Sequence, residues 1–289
     1  MFKNKLFVNI LLPAFLLFGI SYLIMENEGA NKEAVFDAPT MQAHFIDVGQ
    51  GDSCLVKLPD GKRVLIDAGD TAAAEDVIRH IRGEGVKKID YVIATHPHAD
   101  HIGALSQVIK TFEIGSIYMP KASHNTRAFE SLLVAISDKG LKVNTAKAGV
   151  LLFDEGNISA GFLAPVGDDY ENLNNFSAVL KITYGNVSFL FTGDAEALSE
   201  KEMIDSGQNL RSTVLKVGHH GSNTSSTTEF LKAVSPKVAV ISCGEGNSYG
   251  HPSEKVLKRL QASGIEIYRT DQMGTIKIYS DGEKIIIDK

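Results

Sequence analysis

Six of the nine histidines in this 289-residue sequence stand in three short segments, beside carboxylates, glycines and strand-like apolar runs. The densest segment is His96-Pro97-His98-Ala99-Asp100-His101, three imidazoles and one carboxylate within six residues. Nitrogen and oxygen donors in such a set are what a divalent transition metal takes. The segment follows the apolar run Ile89-Asp90-Tyr91-Val92-Ile93-Ala94 and opens a stretch with helical periodicity, so it reads as a strand-to-helix loop that converges its donors. His96 and His98 can face one ion while Asp100 and His101 turn toward a second. A solvated histidine tract is the bland alternative, and the flanking strand and helix weigh against it.

Two further segments extend the constellation. Phe189-Leu190-Phe191-Thr192-Gly193-Asp194 ends an apolar strand in a carboxylate placed to bridge two ions, and Leu215-Lys216-Val217-Gly218-His219-His220-Gly221-Ser222 ends another in paired histidines. Alone, a Gly-Asp is usually a turn and a His pair is usually solvated; the first segment is what raises their weight. His251 lies in a Gly-rich loop after a further apolar strand, where it can meet a substrate or be an ordinary loop residue. Asp67 reads as a carboxylate that fixes a ligand histidine through its other ring nitrogen. Asp47, Gln50 and Asp52 form a Gly-rich turn whose structural and substrate-contact roles weigh equally.

Elements that would position these residues follow from periodicity. Strands are expected at 42–47, 53–58, 63–67, 90–94, 115–118, 158–164, 177–183, 187–192, 212–217, 237–242, 265–269, 274–279 and 283–287, and helices near 72–83, 101–111, 126–139, 195–206, 226–234 and 253–263. Turn signals at Pro59-Asp60-Gly61, Tyr184-Gly185-Asn186 and Ser280-Asp281-Gly282 imply hairpins. A shift of 124 residues lays Ser53–Asp70 on Ser177–Asp194 with Ser, Lys, Gly, Gly and Asp identical, and sets His96 opposite His220. Chance likeness of two hairpins is the rival reading. If the repeat is genuine, the fold is α/β with two mixed β-sheets back to back, helices outside, and a site where strand ends of both halves meet.

Composition is that of a globular protein: 44% hydrophobic, 22% charged, 29 basic against 35 acidic residues for a net charge of −6. This excludes a disordered or collagen-like chain and gives no global attraction to polyanions. Cys54 and Cys243 sit in apolar runs and read as buried free thiols. Lys3 and Lys5 precede the uncharged apolar stretch Leu6–Met25, long enough to cross a bilayer. Residues 1–25 are therefore expected to be a single-pass membrane anchor, with 26–41 a linker and 42–289 an extracytoplasmic domain. Secretion after signal cleavage is the alternative.

The order H-x-H-x-D-H, strand-Gly-Asp, late His resembles the metallo-β-lactamase superfamily of αββα-sandwich hydrolases. The strings His44-Phe45-Ile46-Asp47-Val48-Gly49-Gln50-Gly51-Asp52-Ser53, Leu65-Ile66-Asp67-Ala68-Gly69-Asp70, Asn174-Asn175-Phe176-Ser177, Leu215 to Ser222 and Asn247-Ser248-Tyr249-Gly250-His251-Pro252 resemble the hydrolase domain of ComEC-type competence proteins over about residues 42 to 287. The resemblance implies one or two divalent ions, Zn²⁺ or Mn²⁺. His96 and His98 would hold the first, Asp100 and His101 the second, Asp194 would bridge, and His219 or His220 would complete the second.

It also implies a phosphodiesterase or nuclease that hydrolyses DNA, single-stranded DNA included, or another phosphodiester polymer by a metal-activated water. Asp100 would orient that water, His251 would donate to phosphate or leaving group, and Lys216, Ser222, Asn247 and Asn175 would hold substrate. Asp67 and Asp52 would stand behind the ligands. One departure is plain: between Asp100 and Asp194 the superfamily has a further ligand His where this chain reads Glu171-Asn172-Leu173-Asn174-Asn175. The first ion would then be water-completed or held by Asn174, Asn175 or Asp52. A teichoic-acid phosphodiesterase, a lactone or β-lactam hydrolase, and a non-catalytic module of a DNA-uptake or envelope complex are the alternatives.

Overall fold

Residues 40–288 are described in a computed structural model of the chain; the anchor expected at 1–25 and all but the end of the linker lie outside them. Among the described residues no helix is long and apolar enough to cross a membrane.

Several strands carry apolar side chains on both faces, and such strands need cover on both. The first sheet contains β1 (Met41–Phe45), β2 (Cys54–Lys57), β3 (Arg63–Ile66), β4 (Lys88–Ile93), β5 (Glu113–Met119) and β6 (Val143–Thr145). The second contains β7 (Leu151–Glu155), β8 (Ile158–Ala164), β9 (Val179–Tyr184), β10 (Val187–Phe191), β11 (Val214–Lys216), β12 (Val238–Ile241) and β13 (Glu266–Arg269). Strands β14 (Ile276–Ser280) and β15 (Ile285–Asp288) return to the first, giving orders β15-β14-β1-β2-β3-β4-β5-β6 and β13-β12-β11-β10-β9-β8-β7. In β3, Val64 and Ile66 point between the sheets and Leu65 points out; in β10, Phe189 and Phe191 point in and Leu190 out.

Helices cover the outer faces. On the first sheet lie α1 (Ala74–Gly83), α2 (Ala99–Ile102), α3 (Leu105–Thr111) and α4 (Arg127–Asp138), where Val77, Ile81, Leu105, Ile109 and Leu132 bury Leu55, Leu65 and Val92. On the second lie α5 (Ala197–Asp205), α6 (Thr228–Val234) and α7 (Glu254–Ala262), where Met203, Phe230 and Leu260 bury Leu190, Leu215 and Ile241. A short α8 (Thr270–Met273) precedes β14. Each fully buried side chain of this size contributes about 1.5–3 kcal/mol. The result is the αββα sandwich of two mixed sheets.

The halves correspond strand for strand. An antiparallel pair β2/β3 is followed by parallel β4, β5 and β6, and an antiparallel pair β9/β10 by parallel β11, β12 and β13. All three expected hairpin turns join paired strands, and both cysteines are buried and free. Strands β6 and β7 escape the sequence reading because both end a sheet: β6 is exposed throughout, and β7 is interrupted by a bulge between Leu151 and Phe153, so neither shows clean alternation. The single helix expected at 101–111 is two, α2 and α3. The break falls at Gly103, where an added Cβ would lie 2.4 Å from Thr71 N, so the loop after β3 packs directly on the helix backbone.

Candidate metal centre

That close approach positions the first half of the site. Ala68 N donates to His101 O at 2.8 Å and Ala104 N to Gly69 O at 3.1 Å, which clamps the Asp67 loop onto α2. Gly51 does the same on the other side: a Cβ there would meet Asp100 O at 2.3 Å, and Asp52 N donates to that oxygen at 3.1 Å. In the second half, His219 (φ 49°, ψ 47°) and His220 (φ 53°, ψ 25°) both take left-handed backbone after β11. For non-glycine residues this costs roughly 1–2 kcal/mol each, and here it turns two consecutive imidazoles toward one point.

That point is Asp194, buried at the end of β10. Its Oδ2 lies 3.7 Å from His96 Nε2, 3.7 Å from His219 Nε2 and 3.6 Å from His220 Nε2, and its Oδ1 lies 3.2 Å from His101 Nε2. Asp100 Oδ2 stands 3.3 Å from His220 Nε2 and 4.0 Å from His101 Nε2. His98 turns its Nδ1 to within 3.0 Å of His96 Nε2. A tetrahedral ion with metal–nitrogen bonds of about 2.0–2.1 Å separates neighbouring donors by about 3.3 Å, close to the spacings here. His101 Nε2, His220 Nε2 and Asp194 Oδ1 are buried without a hydrogen-bond partner, although His101 Nε2 and Asp194 Oδ1 are close. Buried polar atoms are normally satisfied, so this donor set fits a divalent cation.

The opposite ring nitrogens meet oxygen. His101 Nδ1 lies 2.8 Å from Asp67 Oδ2, His220 Nδ1 3.0 Å from Ser242 O and 3.2 Å from Asp52 Oδ1, His219 Nδ1 3.1 Å from Glu196 Oε1, and His96 Nδ1 3.1 Å from Thr95 Oγ1. An acceptor behind Nδ1 places the proton there and leaves Nε2 free to ligate. Asp67, itself at φ 56°, is fixed by Thr95 N and Thr95 Oγ1, which donate at 2.8 and 2.6 Å. Lys216 Nζ pairs with Asp52 Oδ2, both side chains buried.

Charge is concentrated accordingly. Burial opposes ionisation of Asp194, but the cationic His101 and His220 overcome it and hold the carboxyl well below the usual range. Burial likewise opposes the charge on His101 and His220, yet Asp194, Asp100 and Asp52 raise His101 well above an ordinary histidine, and Asp194 and Asp52 raise His220 to about 9. His96 is pushed well below by burial and the charge on His101. Without an ion, two imidazoles thus carry protons that a cation would displace.

The expected residues separate into two groups. His96, His98, Asp100, His101, Asp194, His219 and His220 are brought together, with both members of the His pair near Asp194. Asp67 and Asp52 lie behind the rings. His251 is at the rim, its ring centroid 5.4 Å from that of His219, its backbone N–H donating to Asn247 Oδ1 at 3.0 Å. Most side chains expected to hold substrate or complete the first ion are engaged elsewhere, although Asn174 Oδ1 is buried without a hydrogen-bond partner. Lys216 is shut beneath the site with Asp52. Asn247 Nδ2 donates to Gly244 O and His251 O, which shapes the loop instead of reaching outward. Asn175 Oδ1 accepts from Glu196 N and Ser199 N at the start of α5, and Asn174 Nδ2 reaches Glu196 and the rear of His219. Ser222 Oγ pairs with Thr224 Oγ1.

Sequence reasoning missed Glu196, a carboxylate two residues beyond Asp194, and Tyr249, 70% exposed and stacked 5.8 Å from His251. A second donor group, His44, His80 and Glu84, lies under α1. There His44 Nδ1 and His80 Nε2 hydrogen-bond at 2.9 Å and Glu84 is held by Lys57 and Lys277 at 3.0 and 2.6 Å, while His44 Nε2 is buried without a hydrogen-bond partner.

A family model described as the metallo-beta-lactamase superfamily matches residues 46–245. The chain is 35% identical over 253 residues to ComE operon protein 3 of Bacillus subtilis, an alignment covering 82% of this chain and 32% of that protein. To Competence protein ComA of Neisseria gonorrhoeae it is 33% identical over 233 residues, covering 80% and 31%. The chain therefore spans about a third of the length of these curated relatives. Among solved structures, the metallo-beta-lactamase fold protein YhfI of Bacillus subtilis superposes with a TM-score of 0.54 at 14% identity over 86% of this chain and all of that one, a likeness of fold.

Proposed function

The chain belongs to the metallo-β-lactamase superfamily of metal-dependent hydrolases and resembles the hydrolase domain of ComEC-type competence proteins, and from that membership we propose that it is a phosphodiesterase acting on nucleic acid. The observation that carries the reading is the convergence of five imidazoles and Asp100 on the buried Asp194. In this proposal His96, His98 and His219 hold one ion, Asp100, His101 and His220 the other, and Asp194 lies between. His219 then supplies the nitrogen that the Glu171-to-Asn175 stretch lacks. Five imidazole donors favour zinc over manganese. Such ions, when bound, supply Lewis acidity and lower the pKa of water from about 15.7 to about 7.

The chain's own residues do the rest. Asp67, Asp52, Glu196 and Ser242 O keep the rings in the ligating tautomer. Burial and the nearby His219 and His220 lower the pKa of His251, so at neutral pH it offers a phosphoryl oxygen a hydrogen bond from a neutral ring. Tyr249 presents a flat exposed face beside it, on which a base of a single strand can stack. The competence names of the relatives are consistent with a DNA substrate. Leu6–Met25 as an anchor puts this chemistry outside the cytoplasm, where protease added to intact cells reaches the domain. The test is turnover of bis(p-nitrophenyl) phosphate and of single-stranded DNA by the full chain loaded with Zn²⁺ or Mn²⁺. Hydrolysis is expected, with loss on Asp194→Asn. Absence of metal by elemental analysis, or hydrolysis of nitrocefin in its place, overturns the reading.

A further inference from the structure

The second sheet carries another polar cavity at the end away from the metal centre. It opens where β10, β11 and β12 begin, whereas Asp194, His219 and His220 follow their carboxyl ends. Its volume is about 360 Å³, within the range of ligand sites. All ten lining residues are polar; Lys181, Arg211 and Lys237 are cationic and none is acidic. Elsewhere several basic side chains are paired with carboxylates, as Lys57 and Lys277 are with Glu84, Lys147 with Asp168 and Arg269 with Asp271. Among the described residues no carboxylate pairs with the three cavity cations.

Lys181 is the informative one. It stands on β9 opposite Leu190, half-buried, and its Nζ makes one hydrogen bond, to Asn209 O at 2.9 Å. Burial lowers its pKa and no carboxylate offsets the loss. Gathering two further like charges around the partly desolvated Lys181 ammonium, in a chain of net charge −6, is unfavourable unless an anion joins them. Thr183 and Thr213 add hydroxyls to the lining, while Ser188 Oγ donates to Arg211 O at 3.3 Å.

We propose that this cavity is a second, non-catalytic binding site for phosphate groups. Its source is either the backbone of the same polymer or a free phosphate or mononucleotide. The polymer case rests on the phosphodiesterase reading above; phosphate binding itself does not. From Ser188 to Asp194 the chain runs six residues, about 20 Å at strand rise, so a substrate must be several nucleotides long to reach both sites.

The test compares the full-length chain with a Lys181→Gln, Arg211→Gln, Lys237→Gln variant, its fold checked by circular dichroism. Binding of a fluorescent 30-mer single strand is measured in chelator across salt concentrations, and inorganic phosphate and AMP binding by calorimetry. With a polymer, the variant binds the 30-mer at least tenfold more weakly and its salt slope falls by about two, at about 0.7 for each phosphate that the variant no longer neutralises. Hydrolysis of bis(p-nitrophenyl) phosphate, too small to span the two sites, stays at the wild-type rate. With a free ligand, phosphate or AMP binding disappears in the variant while the 30-mer is unaffected. Unchanged binding of all three overturns the proposal. A chain inactive on every phosphodiester but losing phosphate binding in the variant sinks the function reading and leaves this one standing.

Discussion

Replacing Asp67 by asparagine exchanges one oxygen for an NH₂ in the wall behind His101. Asp67 Oδ1 accepts from Thr95 N at 2.8 Å, and Oδ2 from Thr95 Oγ1 at 2.6 Å and from His101 Nδ1 at 2.8 Å, all buried. The amide has two placements. With Nδ2 toward Thr95 N, two donors face each other, which costs about 1–3 kcal/mol for an unsatisfied buried group. With Nδ2 toward His101, the ring must surrender its Nδ1 proton and carry it on Nε2, the atom aimed at Asp194. Either arrangement weakens a His101–metal bond, and the expected loss in affinity is 10- to 100-fold, about 1.4–2.8 kcal/mol. The assay is competition for Zn²⁺ between the folded chain and a chromophoric chelator, with circular dichroism to show that the variant keeps its fold. Equal affinity in variant and parent would refute the claim that Asp67 sets the state of His101.

Other expectations follow from the same geometry. Lys216→Met takes from the buried Asp52 its closest cation, leaving the imidazoles of His220 and His101 beside it, and is expected to destabilise the metal-free chain by at most about 3–5 kcal/mol in urea unfolding, with part of the loss recovered by adding Asp52→Asn; additive losses contradict the pairing. His44 is held down to about 3 by burial, so the unfolded chain binds the extra proton and stability drops as pH falls from 6.5 toward 3, by at most about 5 kcal/mol. Glu84, held down to about 2 by Lys277, His44 and Lys57 against burial, adds in the same direction as pH falls below 4.5. His44→Gln should flatten the upper part of that curve, and an unchanged slope between pH 6.5 and 4 counts against it. Tyr249→Ala should leave stability within about 0.5 kcal/mol and raise KM for single-stranded DNA by about fivefold or more; an unaltered KM removes the stacking role.

Much of the site was readable from residue order because its first half is local. His96 and His98 lie in the loop between β4 and α2, and Asp100 and His101 in the single turn of α2 that follows, so a strand-to-helix segment of that length converges its donors whatever the rest of the chain does. The Gly-Asp after β10 and the His pair after β11 were readable for a related reason: both follow apolar runs, and strand ends of such sandwiches meet. The self-similarity at 124 residues laid the β2/β3 hairpin on the β9/β10 hairpin and His96 opposite His220, while the matching parallel strands that follow each hairpin emerge from the sheet topology.

What residue order left undetermined was decided by packing. That both His219 and His220 face Asp194 depends on two consecutive left-handed backbone conformations, which are uncommon for any non-glycine residue and which the surrounding turn imposes. Lys216 sits in a polar-looking string yet is a β11 side chain turned beneath the site onto Asp52, a partner 164 positions away in the chain. Asn175 stands where a ligand was sought, but the start of α5 claims its oxygen, whereas Glu196 and the rear of His219 engage only the Nδ2 of Asn174. Sequence by itself determined the donor types and, apart from β6, β7 and the break at Gly103, the order of the elements, because these follow from local periodicity and chemistry; the two-sheet sandwich followed from the internal repeat and the family resemblance. Tertiary structure alone decided which nitrogen of His101, His219 and His220 faces inward, since that is set by an acceptor distant in the chain: Asp67, Glu196 and Ser242 O.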